Sequence, residues 1–325
     1  MGRDGIGLVL GAGGVVGQAY HAGVLGALDE VLGWDPRTAD VVVGSSAGAI
    51  TGTLLRLGLP AADLEAMAGG GPLSPAGAAL VARVLPDQGD LPAPSAGSWL
   101  RPLRLPAPAL LARVARRPWT VRPDVVAMTL LPAGRVDVRD RAAPLHRMVG
   151  DHWPHRLWIC AVRRDDGTRV VFGREGSPPA PLAAAVLASC AIPAYFCPVT
   201  IGGVEYFDGG VHSPTSADVL RRGAPEVVVV VSPMSAESLP GRRPDALVRW
   251  SAHRRLDREV RRLRAAGARV VRVEPSAGML GVMGFRAMDE GRSARVAEAA
   301  RAETVRRIAA GWFEALGATG SRSSA

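Results

Sequence analysis

The run VVVGSSAGAITGTLLRLG, Val41 to Gly58, decides the fold class. Three valines lead into Gly-Ser-Ser-Ala-Gly, and the pattern from Ala47 to Gly58 predicts a helix. A buried strand that turns at once into a helix is a building unit of parallel α/β sheets. Two serines stand side by side at that turn. A serine on so sharp a turn has a strained backbone, and the residues two places to either side crowd it, so both must be small. With Ser46 at the centre those residues are Gly44 and Gly48. With Ser45 at the centre they are Val43 and Ala47, and a β-branched valine clashes. Ser46 is therefore the candidate nucleophile, with Gly44 and Gly48 forming its elbow, and Ser45 is a bystander.

Upstream, GIGLVLGAGG reads as a buried strand entering a glycine loop, and Gln18 to Leu32 has helical periodicity. Downstream, RLWICAV and TRVVFG read as neighbouring strands, PLAAAVLASC as a helix and VEYFDGG as a strand ending in a turn. EVVVVVSP and ARVVRVEP are two more buried strands. Between them, Pro244 to Ala266 carries Leu256, Val260 and Leu263 on one helical face. Arg292 to Leu316 is a last helix, and residues 317–325 are expected to be a disordered tail. Residues 69–122, rich in Pro, Gly and Ala, read as an irregular or short-helical basic insertion.

Composition narrows the function classes. With 325 residues and 48% hydrophobic content the chain can bury a sizeable core. All 39 basic residues are arginine, and the formal charge is +9. That balance allows contact with anionic lipid, although a solvated arginine-rich surface explains it equally well. Three cysteines (Cys160, Cys190, Cys197), without metal-type spacing, fit reduced thiols in a cytoplasmic protein. MGRDGIGLVL runs straight into a strand, so no secretory signal is expected. Ser177 to Val204 is uncharged but holds five prolines, which argues against a membrane span.

A serine needs a base. The histidines offer little. His146, His152 and His155 fall in a loop before a strand, without the further ligands a metal site needs. His253 reads as a satisfied edge residue of its helix, whereas His212 stays open. Asp208 closes a strand and precedes Gly209 and Gly210. There a carboxylate can be held rigidly while another backbone or a substrate comes close, although Asp-Gly also commonly marks a hairpin. The third element is the loop Gly11-Ala12-Gly13-Gly14-Val15-Val16-Gly17, between the first strand and first helix. Its amides can hold an anion, either a dinucleotide pyrophosphate or the oxyanion of an acyl transfer. A dinucleotide site wants glycine at position 16 and an acidic residue ending the second strand, and neither is present.

In order along the chain, LVLGAGGVVGQAYHAGVL, VVGSSAGAITG, ASCAIPAYFCPV and YFDGGVHSPT resemble the patatin-like phospholipase family, over about residues 6–221. The resemblance implies an α/β fold, a three-layer α/β/α sandwich on a mainly parallel sheet, with residues 222–316 completing it. It also implies a Ser-Asp dyad without a catalytic histidine, in which Ser46 attacks the ester carbonyl and Asp208 takes the proton. Gly11, Gly13, Gly14 and Val15 would form the oxyanion hole. Acyl esters of lipids are the implied substrates. No cofactor, metal or nucleic-acid partner is expected. Two positions depart from the family pattern. Val16 stands where arginine or lysine is usual, and GQAYHAGVL is one residue longer than the common version.

Three other readings stay open. A catalytically silent lipid-binding protein on the same fold would show no hydrolysis to lose on Ser46→Ala. A His-dependent α/β hydrolase normally places its nucleophile after several strands. A nucleotide-dependent oxidoreductase would carry a dinucleotide. Within the insertion, Trp99, Leu100, Leu103, Leu105, Leu110, Leu111, Val114 and Trp119 interleave with Arg101, Arg104, Arg113, Arg116 and Arg117. This pattern suits either a lid or peripheral contact with the inner face of a membrane.

Overall fold

In the computed structural model, residues 5–85, 107–120, 122–238, 243–314 and 316 are described. The elements begin with β1 (Ile6–Leu10), α1 (Gly14–Leu32), β2 (Val41–Gly44), α2 (Ala47–Arg56), α3 (Ala61–Gly69) and α4 (Pro75–Val84). Next come α5 (Pro108–Arg116), α6 (Pro123–Thr129), α7 (Ala143–Val149), β3 (Leu157–Arg163), β4 (Arg169–Phe172), α8 (Leu182–Cys190), β5 (Val199–Ile201) and β6 (Val204–Asp208). The chain continues with β7 (Val227–Val231), α9 (Ala246–Ala265), β8 (Arg269–Val273), α10 (Ala277–Met283) and α11 (Ser293–Ala309).

The chain forms two units. The first comprises Met1–Ala78, Pro154–Leu157 and Ser213–Ala325. Its strands run β2-β1-β7-β8, every pair parallel. The core is dry: Leu8, Val9 and Leu10 of β1, Val41 to Val43 of β2 and all five valines of β7 are fully buried. Continuous apolar runs of this kind belong to parallel strands covered on both faces. The parallel register sets Leu10 beside Gly44. The loops after β1 and β2 therefore emerge together at the carboxyl ends of adjacent strands, where α/β sheets hold their ligands.

The second unit comprises Ala79–Trp153 and Trp158–His212. Its pairing is antiparallel, β5 with β6, β6 with β3 and β3 with β4. The β5–β6 hairpin is absent from the sequence-based expectation. Its turn, Gly202-Gly203, has φ of 56° and 77°, the paired positive values of the hairpin turns that suit strand twist. Val125 of α6 packs with Val162 of β3 and Phe207 of β6.

Three expectations change in detail. Helix α1 starts at Gly14, four residues before the predicted Gln18, because a tertiary carbonyl (Ala287 O) takes the Val16 amide in its first turn, at 3.0 Å. His146 lies on α7 instead of in a loop. Helix α10 was not expected; the Ser276 hydroxyl caps it by accepting from Met279 N–H. Of the insertion, residues 86–106 and 121 lie outside the described residues, with Trp99, Leu100, Arg101, Leu103, Arg104 and Leu105 among them, as does the tail 317–325. No helix among the described residues is long and apolar enough to cross a membrane.

Candidate active site

Ser46 sits between β2 and α2 with φ 53° and ψ −119°. A non-glycine residue with positive φ stores strain, which persists only where the surroundings impose it. Here the imposition is steric. A Cβ on Gly48 would lie 1.9 Å from the Leu10 carbonyl oxygen, and one on Gly44 would lie 2.5 Å from the Gly48 oxygen. Larger residues at either position would push β2, α2 and β1 apart. The elbow derived from spacing thus has a contact behind each glycine. Ser46 is almost covered, at 6% exposure. Ser45 is fully buried; its amide donates to Leu10 O at 3.1 Å and its hydroxyl meets no partner. It is structural.

The glycine loop before α1 is pinned by three backbone bonds. Gly11 N–H donates to Val231 O at 2.9 Å, Ala12 N–H to Pro214 O at 2.7 Å and Val16 N–H to Ala287 O at 3.0 Å. Pro233 packs below, close enough that a Cβ on Gly13 would meet it at 2.9 Å. Among the described residues, no acceptor takes the N–H groups of Gly13, Gly14 and Val15. These are the orphan donors of a helix start. The expected oxyanion set is corrected at Gly11, whose amide is spent inside the sheet and does not belong to the donors. Val16 is buried at 2% exposure, so its side chain is core. The α2 start lies alongside, since a Cβ on Gly17 would be 3.7 Å from Ala47 Cβ. Two helix N-termini next to each other favour negative charge in front of them.

The pins were invisible in the sequence. Val231 ends β7 and Pro233 lies just beyond it, while Ala287 comes from the segment after α10. Pro214 sits in a loop held from α9. There the buried Glu259 carboxylate accepts from Thr215 Oγ1 at 2.6 Å and from Ala217 N–H at 2.8 Å. Between those partners Ser216 is forced to φ 53°. Glu259, next to the buried Val260 on the apolar side of an arginine-rich helix, was the available signal.

In the second unit, Asp208 is the last residue of β6 and is buried. Its N–H donates to Ala191 O at 3.0 Å, and its Oδ1 accepts from Gly210 N–H at 2.7 Å. The chain then enters a 3-10 turn, Gly209–Val211, so Asp-Gly does not form a hairpin here. A Cβ on Gly209 would come within 2.2 Å of the Cys160 carbonyl oxygen on β3. The turn's far end is tied by Arg122, whose Nη1 donates to His212 O at 2.5 Å.

The patatin-like phospholipase pattern matches residues 8–221, about two thirds of the chain. The chain belongs to the patatin-like phospholipase family. Its α/β/α sandwich is the fold expected from the sequence. Among solved structures it is similar to VipD from Legionella pneumophila, at 13% identity and a TM-score of 0.42. The alignment covers 93% of this chain and 66% of that one, so the chain spans just under two thirds of that protein's length. No curated protein matches it.

Patatin-like membership directs attention to the roles of the histidines. His21 on α1 is fully buried, with Nδ1 3.4 Å from Thr51 Oγ1 on α2. Thr51 spends its own proton on Ala47 O at 3.1 Å. His21 Nδ1–H is therefore the donor, and Nε2 is left bare with no partner. Burial lowers the His21 pKa to about 3, so this imidazole is a poor proton acceptor. His253 is engaged with the buried Glu274 at 3.1 Å and with Arg272, the satisfied edge role expected of it. Among the described residues no group of three His, Cys, Asp or Glu side chains is placed to hold a metal ion.

In the insertion, Arg113 donates to Asp166 O at 2.7 Å and to Thr168 Oγ1 at 3.1 Å. Leu110 is buried, whereas Leu111, Val114 and Trp119 are exposed. Of the insertion's interleaved apolar residues that are described, only Leu110 is covered.

Proposed function

We propose that the protein is a serine acyl-ester hydrolase acting on lipids, as a phospholipase A, a lysophospholipase or a non-specific lipid acyl hydrolase. The observation that carries this reading is the strained Ser46 elbow at the head of α2, next to a loop with three unused amides. Ser46 Oγ attacks the ester carbonyl carbon and its proton passes to the Asp208 carboxylate. Charge develops on the carbonyl oxygen, and the N–H groups of Gly13, Gly14 and Val15 donate to it. Removing one donor of that kind costs roughly 10²–10³ in turnover. The carbon–oxygen bond to the alcohol then breaks, and the alcohol leaves with the proton. Water attacks the acyl-Ser46 ester as Asp208 again takes the proton; the bond from the acyl carbon to Ser46 Oγ then breaks, Asp208 returns the proton to Oγ, and the free acid departs.

Asp208 as base is supported by family membership and by the Gly210 amide on its Oδ1, which fixes the direction of the carboxylate. A base other than histidine is also favoured by the low basicity of His21. The three cysteines, none of them in a disulfide, suit a reducing cytoplasm, and the exposed apolar residues of α5 suit transient contact with a lipid surface. The test is a lipid hydrolysis screen of wild type beside Ser46→Ala. Hydrolysis confined to the wild type supports the reading. A binder without Ser46-dependent hydrolysis would replace it with a silent lipid-binding role.

A further inference from the structure

The first unit holds an open cleft of about 440 Å³ between α1, α2, α3 and the start of α11. Its walls are mainly apolar, with Val15 and Ala19 from α1, Ile50 and Leu54 from α2, and Leu64 and Met67 from α3, beside the polar Gln18, Thr51 and Ser293. That volume is within the range of small-ligand pockets, about 300–1,000 Å³. Two of its walls come from α1 and α2, the helices that start at the glycine loop and at Ser46. On α1 the wall starts at Val15, whose amide is one of the unused donors. On α2, Ile50 and Leu54 are four and eight residues beyond Ser46. Ser46 is the N-cap of α2, so these two side chains lie one and two turns into the helix it opens, about 6 and 12 Å along the axis. Among the described residues no arginine lines the cleft, in a chain with 39 of them, and Glu290 stands at its mouth. An anionic head group is therefore a poor occupant.

We propose that this cleft is the subsite for the acyl chain of the substrate, running from Ser46 past Ile50 to Leu54 and Met67, with Met67 as its adaptable wall. The inference rests on the acyl-hydrolase reading above. It assigns substrate specificity to the first unit. The chain with the scissile carbonyl lies along α2, and the head group lies elsewhere.

Two measurements test it. The first is kcat/KM for p-nitrophenyl butyrate, octanoate, laurate and palmitate with wild type, Ile50→Trp and Met67→Trp. Each methylene that enters the cleft adds about fourfold to kcat/KM. The indole ring occupies that space, so the laurate-to-butyrate ratio is expected to fall at least tenfold in each variant. An unchanged ratio in folded variants overturns the proposal. The second uses Ser46→Ala protein and a dansyl-labelled fatty acid. Binding is expected to weaken at least tenfold when Ile50→Trp is added, and equal binding overturns the proposal. Because this second readout needs no turnover, loss of the hydrolase reading and loss of the subsite are separable.

Discussion

At the scale of single residues, the proposed pairing of Ser46 with Asp208 makes a sharp demand. Ser46→Ala and Asp208→Asn should each lower turnover by roughly 10⁴-fold, and the double variant should be little worse, because groups acting as one unit give non-additive losses. Ser45→Ala should spare activity. His212→Gln and His253→Gln should stay within about tenfold of wild type, since general catalysis by a transferring group is worth roughly 10²–10⁴. Collapse of a folded His212→Gln enzyme would restore the histidine reading. The turn at Ser46 and the strand end at Asp208 were legible because each is local, a spacing of small residues in one case and an alternating run before Gly-Gly in the other. His21 was not, since only the fold shows what covers it. Its pKa of about 3 against an ordinary 6.5 has a consequence for stability. Below pH 6.5 the unfolded chain takes up a proton that the folded chain refuses. Stability therefore declines as pH falls from 6.5 towards 3, by about 1.4 kcal/mol per unit, and this contribution levels off below 3. Urea unfolding across that range should show a shallower slope for His21→Gln, and parallel curves would refute this account.

At the scale of elements, the sequence located strands through runs of buried valine and leucine, and helices through periodicity. It failed where tertiary bonds decide. The start of α1 depends on Ala287, and the β5–β6 hairpin depends on Gly202-Gly203, a turn signal hidden inside a proline-rich stretch. The glycine loop before α1 was recognised, yet not what holds it, because Val231, Pro233 and Ala287 come from distant parts of the chain. The α9 helix reaches that loop in two steps, from Glu259 to Thr215 and Ala217, then from Pro214 to Ala12. Glu259→Ala strands a buried hydroxyl and a buried amide, which should cost about 2–4 kcal/mol of stability. It should also lower kcat about tenfold with little change in KM, because misplacement of donors is felt in the transition state. Glu259→Gln, which keeps an acceptor, should recover most of both. Lost stability with unaltered kcat would confine Glu259 to a structural role.

At the scale of the whole molecule, the charge of +9 raises the question of whether lipid surfaces attract the chain as a diffuse cation or through one patch. The exposed side chains favour a patch. Trp119 is 80% exposed and Leu111 57%, on and beside a helix whose Arg116 is exposed to solvent. Arg113 is taken up by Asp166 and Thr168, so it contributes anchorage within the second unit and not attraction. An aromatic and aliphatic rim with adjacent arginine can sit in the head-group layer. An arginine near an anionic surface adds on the order of 1 kcal/mol, about fivefold in partitioning, and salt screens it over roughly 10 Å. Co-sedimentation with phosphatidylserine-containing vesicles at low salt should therefore weaken about fivefold in Arg116→Gln. The Leu111→Ser, Trp119→Ser pair should weaken it further and keep that deficit at high salt. Arg295→Gln, on the exposed face of α11, removes the same charge from another site and should have little effect. If Arg295→Gln and Arg116→Gln weaken binding equally, net charge alone is responsible, and the exposed residues of the insertion have no part in reaching the lipid.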